Sequence, residues 1–304
     1  MAKAPTFLNE ADLPGFLEKY DTFMLDCDGT LWKADHLTEI PGIDKAIELL
    51  YKLGKRLIFV TNNSIHSNYK YKLKFQTYGF DSEEDNIFGV AYATAVYLKD
   101  IAKIGDGLVY LVGSPGMAEE FSKAGISYFG NGPDLDKPSC DPTDLLEMEF
   151  RQNVKAVVVG YDEHFHYNKL YKAASYIQDT NCLYVASNDV EISFPLGSNR
   201  MQPVTGTLVK AVSMASRKEP VVVGKPHSLF LDCVMNKHPQ IEKDKTIFVG
   251  DSLKADIAFA DNVGIDSLFV LTGTHNLDHL SSGQFSKPTY ILNSLADIVG
   301  LKTK

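Results

Sequence analysis

Residues 23–32 read FMLDCDGTLW, an apolar run that ends in Asp26 and Asp28 with Gly29 directly behind. Two carboxylates two residues apart at the end of a buried strand repel each other, and a fold gains nothing from them. A cation and a phosphate would make use of them. On an extended segment this spacing sets both side chains on one face.

Similar runs recur along the chain, each closing on small or polar residues: RLIFVTNNS (56–64), VVVGKP (221–226), TIFVGDS (246–252) and SLFVLTG (267–273). Continuous Val/Ile/Leu/Phe runs are typical of strands buried on both faces, as in parallel sheets. Helical patterns separate them. In PGIDKAIELLYKLGK (41–55) the apolar residues recur at helical spacing and Gly54 stands near the end; SLFLDCVMNKH (228–238) and KADIAFADNVG (254–264) repeat the theme. This alternation predicts an α/β fold with a doubly wound parallel sheet. Ligands of such sheets bind beyond the carboxyl ends of the strands. There fall Asp26, Asp28, Thr61 to Ser64, Lys225, Gly250 and Asp251.

The spacing predicts a second domain. Asp26 to Thr61 is 35 positions and Lys225 to Asp251 is 26, each enough for one strand–helix–strand step. Thr61 to Lys225 is 164, far more than one crossover requires. The intervening stretch has its own strand-like runs, LVYLVG (108–113), AVVVG (156–160) and CLYVASN (182–188), and its own helical patterns at 114–125 and 166–178. The expectation is an α/β domain at 102–206 inserted into a core formed by 1–101 and 207–304. A Pro/Gly/Asp-rich loop occupies 130–144.

Composition narrows the partners. The chain has 304 residues, 44% hydrophobic and 23% charged, and a net charge of -9. That balance fits a soluble globular protein and argues against a nucleic-acid partner. No apolar run approaches the roughly 18 residues that span a bilayer, and the acidic N-terminal stretch is no signal peptide. Cys27, Cys140, Cys182 and Cys233 lack CxxC spacing and read as reduced thiols of a cytoplasmic protein. Cys27, between the two aspartates, reads as an inert buried thiol, with a thiol whose oxidation would affect the site as the alternative.

The clusters suit phosphate chemistry. Asp26, Asp28 and Asp251 are hard oxygen ligands of the kind Mg²⁺ prefers. Thr61, Asn62, Asn63 and Ser64 form a polar turn rich in hydroxyl, amide and backbone donors, Lys225 adds a point charge, and Gly29 allows close approach of the backbone. One of the paired aspartates can attack phosphorus and become an aspartyl-phosphate. The other, its pKa raised by its charged neighbour, can protonate the leaving oxygen and then deprotonate the hydrolytic water.

These residues resemble the four ordered motifs of the haloacid dehalogenase (HAD) superfamily of phosphatases: Asp-x-Asp-Gly-Thr at 26–30, Thr-Asn-Asn-Ser at 61–64, Gly-Lys-Pro at 224–226, and Gly-Asp-x-x-x-x-Asp with Asp251 and Asp256. The resemblance implies a Rossmann-like HAD core, Asp26 as nucleophile and Asp28 as general acid/base. It implies phosphate binding by Thr61, Asn62 and Lys225, to which the polar turn adds Asn63. Mg²⁺ would be held by the Asp26 side chain, the Asp28 backbone carbonyl and Asp251, with Asp256 orienting the metal's waters or Lys225. Further stretches, AYATAVYLK, VVVGYDEHF and LFVLTGTH among them, look like the eukaryotic phosphoglycolate phosphatase / 4-nitrophenylphosphatase group. The inserted segment is similar to that group's C2-type cap. The resemblance implies a cytoplasmic, Mg²⁺-dependent homodimer acting on a small phosphate ester, 2-phosphoglycolate first and 4-nitrophenyl phosphate with it; pyridoxal phosphate and a phosphoprotein are the alternatives.

Some positions depart from the pattern. Ser252 stands where the family usually has Arg, and the cap loop reads Ser187-Asn188-Asp189-Val190 with its acid one place early. Phe194 and Ile65 replace the His and Arg that pyridoxal-phosphate phosphatases tend to carry, which argues against that substrate. Asn188 and Phe194 are candidate substrate contacts from the cap. His164 and His166 read as structural, and Tyr92 and Tyr97 as packing residues. A phosphate-binding regulator without turnover would show a damaged motif, and all four are intact.

Overall fold

The computed structural model describes residues 4–35, 37–190 and 199–300; Phe194 lies outside them. Along the described chain the strands are β1 (Thr6–Phe7), β2 (Thr22–Leu25), β3 (Arg56–Thr61), β4 (Ile87–Gly89), β5 (Leu108–Val112), β6 (Tyr128–Phe129), β7 (Val154–Val159), β8 (Leu183–Ala186), β9 (Val221–Val222), β10 (Thr246–Gly250), β11 (Asp266–Val270) and β12 (Tyr290–Leu292). They form two sheets, one in each of two compact units. No helix among the described residues is long and apolar enough to cross a membrane.

The first unit comprises the chain up to Thr61, Tyr69–Phe88 and the chain from Lys225 on. Its seven-stranded sheet has the order β1-β12-β11-β10-β2-β3-β4. The ladders joining β1 through to β3 are parallel. Alternate residues serve opposite layers, as the two-residue strand period requires. Leu268, Val270 and Leu292 join the large core with Phe16, Tyr20, Phe23, Phe59 and Phe75, while Phe269 and Ile291 join Leu253 and Ile257 in the other layer. Both faces are therefore covered, which explains the continuous apolar runs. From β2 the chain winds outward through β3 and β4; from β10 it winds the other way through β11 and β12. The switch of direction between β2 and β10 is where a doubly wound sheet opens a crevice at its carboxyl edge.

The second unit comprises residues 62–68 and Gly89–Gly224. Its five-stranded parallel sheet has the order β6-β5-β7-β8-β9. Its core gathers Tyr110, Val112, Val157, Val159, Ala173, Tyr176 and Val212. The inserted α/β domain is thus present, and it draws in more chain than residues 102–206. The helix Thr205–Ser216 packs into this core through Val209 and Val212 and accepts the Tyr184 hydroxyl at the Val209 carbonyl, 3.0 Å away. The VVVGKP run also differs from expectation: Val221–Val222 extends the second sheet beside β8, not the first. A run of two paired residues carries too little pattern to say which sheet it joins.

Candidate active site

Asp26 is the first residue beyond β2, and its N–H donates to Val249 O of β10, 2.9 Å away, so the sheet fixes where its side chain starts. The strand ends at Leu25, and the segment carrying the two aspartates leaves it at once: the Thr30 and Leu31 amides return to the Cys27 carbonyl, and Gly29 adopts φ +89°. The Asp26 and Asp28 carboxylates consequently meet different partners.

Asp26 is buried and accepts from the Lys225 ammonium at Oδ1, 2.6 Å away, with Thr30 Oγ1 3.5 Å from Oδ2. Lys225, 2% exposed, also donates to Asp256 Oδ1 at 2.7 Å and to the Val60 carbonyl at 3.3 Å. Burial alone would lower the lysine's pKa; the Asp256 and Asp26 charges outweigh it and hold the group above the usual lysine range. Asp28 is half-buried, with Oδ1 2.6 Å from the Trp32 indole nitrogen and Oδ2 3.4 Å from Thr61 Oγ1. Thr61 closes β3 and is buried.

Asp251 follows β10 directly and accepts from the Thr274 N–H. Asp256 lies on a π-helical turn, Leu253–Ile257, which Ser252 caps by accepting from the Ala255 amide. Such turns often mark functional positions. Here it aims the Asp256 carboxylate back toward the sheet: Oδ1 takes Lys225 and Oδ2 takes the Ser252 N–H at 2.9 Å. The serine standing where an arginine was expected is thus the cap of that turn.

Oxygens of Asp26, Asp251 and Asp256, all buried, lie within 4.8 Å of one another. Burial and the Asp256 charge raise Asp26 well above the usual carboxylate range against the opposing pull of Lys225. The same two causes raise Asp251 to about 6. Three buried carboxylates beside one ammonium are short of positive charge, and a hard divalent cation with oxygen preference fits that donor set. Both Asp256 oxygens are held by protein donors at 2.7 and 2.9 Å, whereas the donor on Asp26 Oδ2, Thr30 Oγ1, stands off at 3.5 Å, so Asp26 and Asp251 are the side chains better suited to hold the ion, while Asp256 holds the lysine. Side-chain-free neighbours make the space: a Cβ at Gly29 or Gly273 would overlap the Asp251 carboxylate, and one at Gly250 would overlap that of Asp256.

The polar turn continues from Thr61 by one peptide bond and belongs to the second unit. Asn63 Oδ1 accepts the Ile65 amide at 2.8 Å, an Asx turn that shapes the loop. Asn188 Nδ2 donates to the Asn62 carbonyl at 2.9 Å, while its Oδ1 accepts the Val190 amide at 3.1 Å. Ser64 receives the Ser114 hydroxyl at its carbonyl and the Tyr161 amide at its Oγ. His166 caps the helix Tyr167–Tyr176 by accepting the Asn168 amide, and His164 lies exposed near Glu163. The four cysteines form no disulfide among the described residues, and burial pushes the Cys27 thiol well up, which keeps it inert.

Sequence reasoning passed over Trp32, Gly273 and Thr274. The last two follow β11 at the carboxyl edge, the position that marked the other site residues. Trp32 had no comparable signal, because its partner is set by the turn at Gly29.

Two sequence profiles match the chain: haloacid dehalogenase-like hydrolase over residues 23–127 and a HAD-hydrolase-like profile over 222–298. Glycerol-3-phosphate phosphatase of Rattus norvegicus is 36% identical over 93% of this chain and 91% of its own length. Phosphoglycolate phosphatase 1A, chloroplastic, of Arabidopsis thaliana is 35% identical over 99% of this chain and 82% of its own. The solved structure of a p-nitrophenyl phosphatase from Archaeoglobus fulgidus superposes with a TM-score of 0.77 at 27% identity, covering 93% of this chain and 99% of that one. With Asp26, Thr61, Lys225, Asp251 and Asp256 gathered at one edge of the first unit's sheet and relatives 35–36% identical over most of both chains, the chain belongs to the haloacid dehalogenase-like hydrolases, in their phosphatase group.

Proposed function

We propose that the first unit is the catalytic core of a Mg²⁺-dependent phosphomonoester hydrolase, that the second is its cap, and that the substrate is a small soluble phosphate ester, 2-phosphoglycolate first. The observation that carries this reading is the buried Asp26 at the carboxyl end of β2, with Lys225 2.6 Å away and Asp251 and Asp256 beside it. An Asp26 oxygen attacks phosphorus as the ester P–O bond breaks, and the bond's electron pair leaves with the ester oxygen. Asp28 gives that oxygen its proton. The product is an aspartyl-phosphate at Asp26. Asp28, now a carboxylate, takes a proton from a water molecule that attacks phosphorus, and inorganic phosphate departs as Asp26 is restored. Thr61, Asn62, Asn63 and Lys225 hold the phosphoryl oxygens, and Asp256 keeps Lys225 in place. Mg²⁺, held by Asp26, the Asp28 carbonyl and Asp251, would supply charge neutralisation of the phosphoryl group.

The substrate class rests on relatives of nearly equal identity that are named phosphoglycolate phosphatase and glycerol-3-phosphate phosphatase. Glycerol 3-phosphate is therefore the second substrate of this reading. A cytoplasmic homodimer completes it, on the family resemblance. The test is phosphate release with Mg²⁺ across 2-phosphoglycolate, glycerol 3-phosphate, 4-nitrophenyl phosphate, pyridoxal phosphate and a phosphopeptide. The expected result is the highest kcat/KM on 2-phosphoglycolate, with pyridoxal phosphate and the phosphopeptide at least tenfold lower. A lead for either of those two overturns the substrate assignment.

A further inference from the structure

We infer that Trp32 is a positioning residue for proton transfer: its indole N–H holds Asp28 by Oδ1 and so puts the transferable proton on Oδ2. The inference rests on the role proposed above for Asp28. Asp28 stands on a loop and is half-buried, so its carboxyl rotates unless something holds it. Trp32 is fully buried, and its Nε1 is 2.6 Å from Asp28 Oδ1. A second tie runs through the backbone, where the Gly29 amide donates to the Trp32 carbonyl at 2.7 Å.

The indole itself has little freedom. Tyr78 stacks on it at a centroid distance of 5.1 Å, Tyr71 lies nearly parallel at 6.4 Å, and Phe75 is at 5.9 Å. The Lys74 ammonium sits 3.8 Å from its ring centroid. Tyr71, Lys74 and Phe75 come from one face of the helix Asn68–Thr77, at i, i+3 and i+4. These contacts need only an aromatic face, and a phenylalanine would supply one. What the indole adds is a single polar atom, a donor without acceptor capacity, which would be costly to bury unpaired.

The consequence is directional. Oδ1 accepts from an indole N–H that can only donate, whereas the Thr61 hydroxyl that donates to Oδ2 at 3.4 Å can turn and accept, so the proton goes to Oδ2. From there it passes to the ester oxygen as the P–O bond breaks. Asp28 is left a carboxylate still fixed by Trp32, oriented to accept a proton from the hydrolytic water.

The test is kcat/KM of Trp32→Phe on two esters that differ in their need for a proton. A glycolate alkoxide leaves poorly without one, whereas 4-nitrophenolate leaves unaided. The expected loss is about 10- to 100-fold on 2-phosphoglycolate and under about threefold on 4-nitrophenyl phosphate, since general acid catalysis is worth about 10²- to 10⁴-fold. Equal losses on both esters, or no loss on either, overturn the inference. A second readout needs neither turnover nor a folded Trp32→Phe. Trp32 is the chain's one tryptophan, so its indole N–H gives a single nuclear magnetic resonance signal. That signal should lie downfield and exchange slowly in the wild type, and exchange at least tenfold faster in Asp28→Ala; an unchanged signal contradicts the contact. A wild type that releases no phosphate yet shows the protected indole contradicts the hydrolase reading and not the contact.

Discussion

At Asp251, burial and the Asp256 charge raise the carboxyl to about 6, against about 3.9 in an unfolded chain. Between those values the folded protein keeps a proton that the unfolded chain has released. Its stability therefore falls as pH rises through that window, by up to about 3 kcal/mol from this group. A divalent cation on the same carboxylate replaces the proton. Chelator-treated protein should thus gain a few degrees of melting temperature from Mg²⁺ at pH 7 and much less at pH 5, and Asp251→Asn should abolish the difference. A larger gain at pH 5 than at pH 7 would contradict the assignment. Asp26, Asp28, Thr61, Lys225, Asp251 and Asp256 were legible in the sequence because each stands at or just past a strand-like run, in an order that few folds produce by chance. Trp32 and Thr274 were not. Their roles come from contacts across space, an indole to the carboxylate four residues back and an amide to a carboxylate in another strand's turn.

At the scale of elements, the carboxyl ends of β2, β10 and β11 converge because the sheet is parallel and its winding reverses between β2 and β10. The turn after β11 contributes through an absence of side chain: Gly273 and Gly29 both border the Asp251 carboxylate. Gly273→Ala should displace that carboxylate and weaken divalent-cation binding by tenfold or more, read by calorimetric titration. Gly15→Ala is the control. Gly15 lies in the helix Leu13–Lys19 with open space where the Cβ would go, and alanine there should stabilise by about 0.5–1 kcal/mol without touching cation affinity. Equal cation binding by Gly273→Ala and the wild type would show that the turn has no part in the site. The helical pattern at 254–264 was legible, but its first turn is π-helical; a shift of one residue in hydrogen bonding leaves no mark on hydrophobic periodicity, yet it aims Asp256 at Lys225.

At the scale of the whole chain, the insertion was legible from one long gap between motifs. The strand–helix alternation on either side of that gap foretold two parallel sheets. What the pattern could not give was the side on which short segments pack. Val221–Val222 and the helix Thr205–Ser216 join the second unit through backbone pairing and a few core residues, information that lies in contacts and not in period. Two of the chain's four changes of unit, at Thr61/Asn62 and at Gly224/Lys225, fall inside motifs. The proposed role of Asp26 as phosphoryl acceptor is tested by Mg²⁺-dependent phosphate release by the wild type beside Asp26→Asn, each shown to be folded by its melting curve. The Asp26→Asn variant should release phosphate at least about 10³-fold more slowly on every ester the wild type hydrolyses, because no step proceeds without that carboxylate. Retention of more than about a tenth of the wild-type rate by a folded Asp26→Asn would contradict that role.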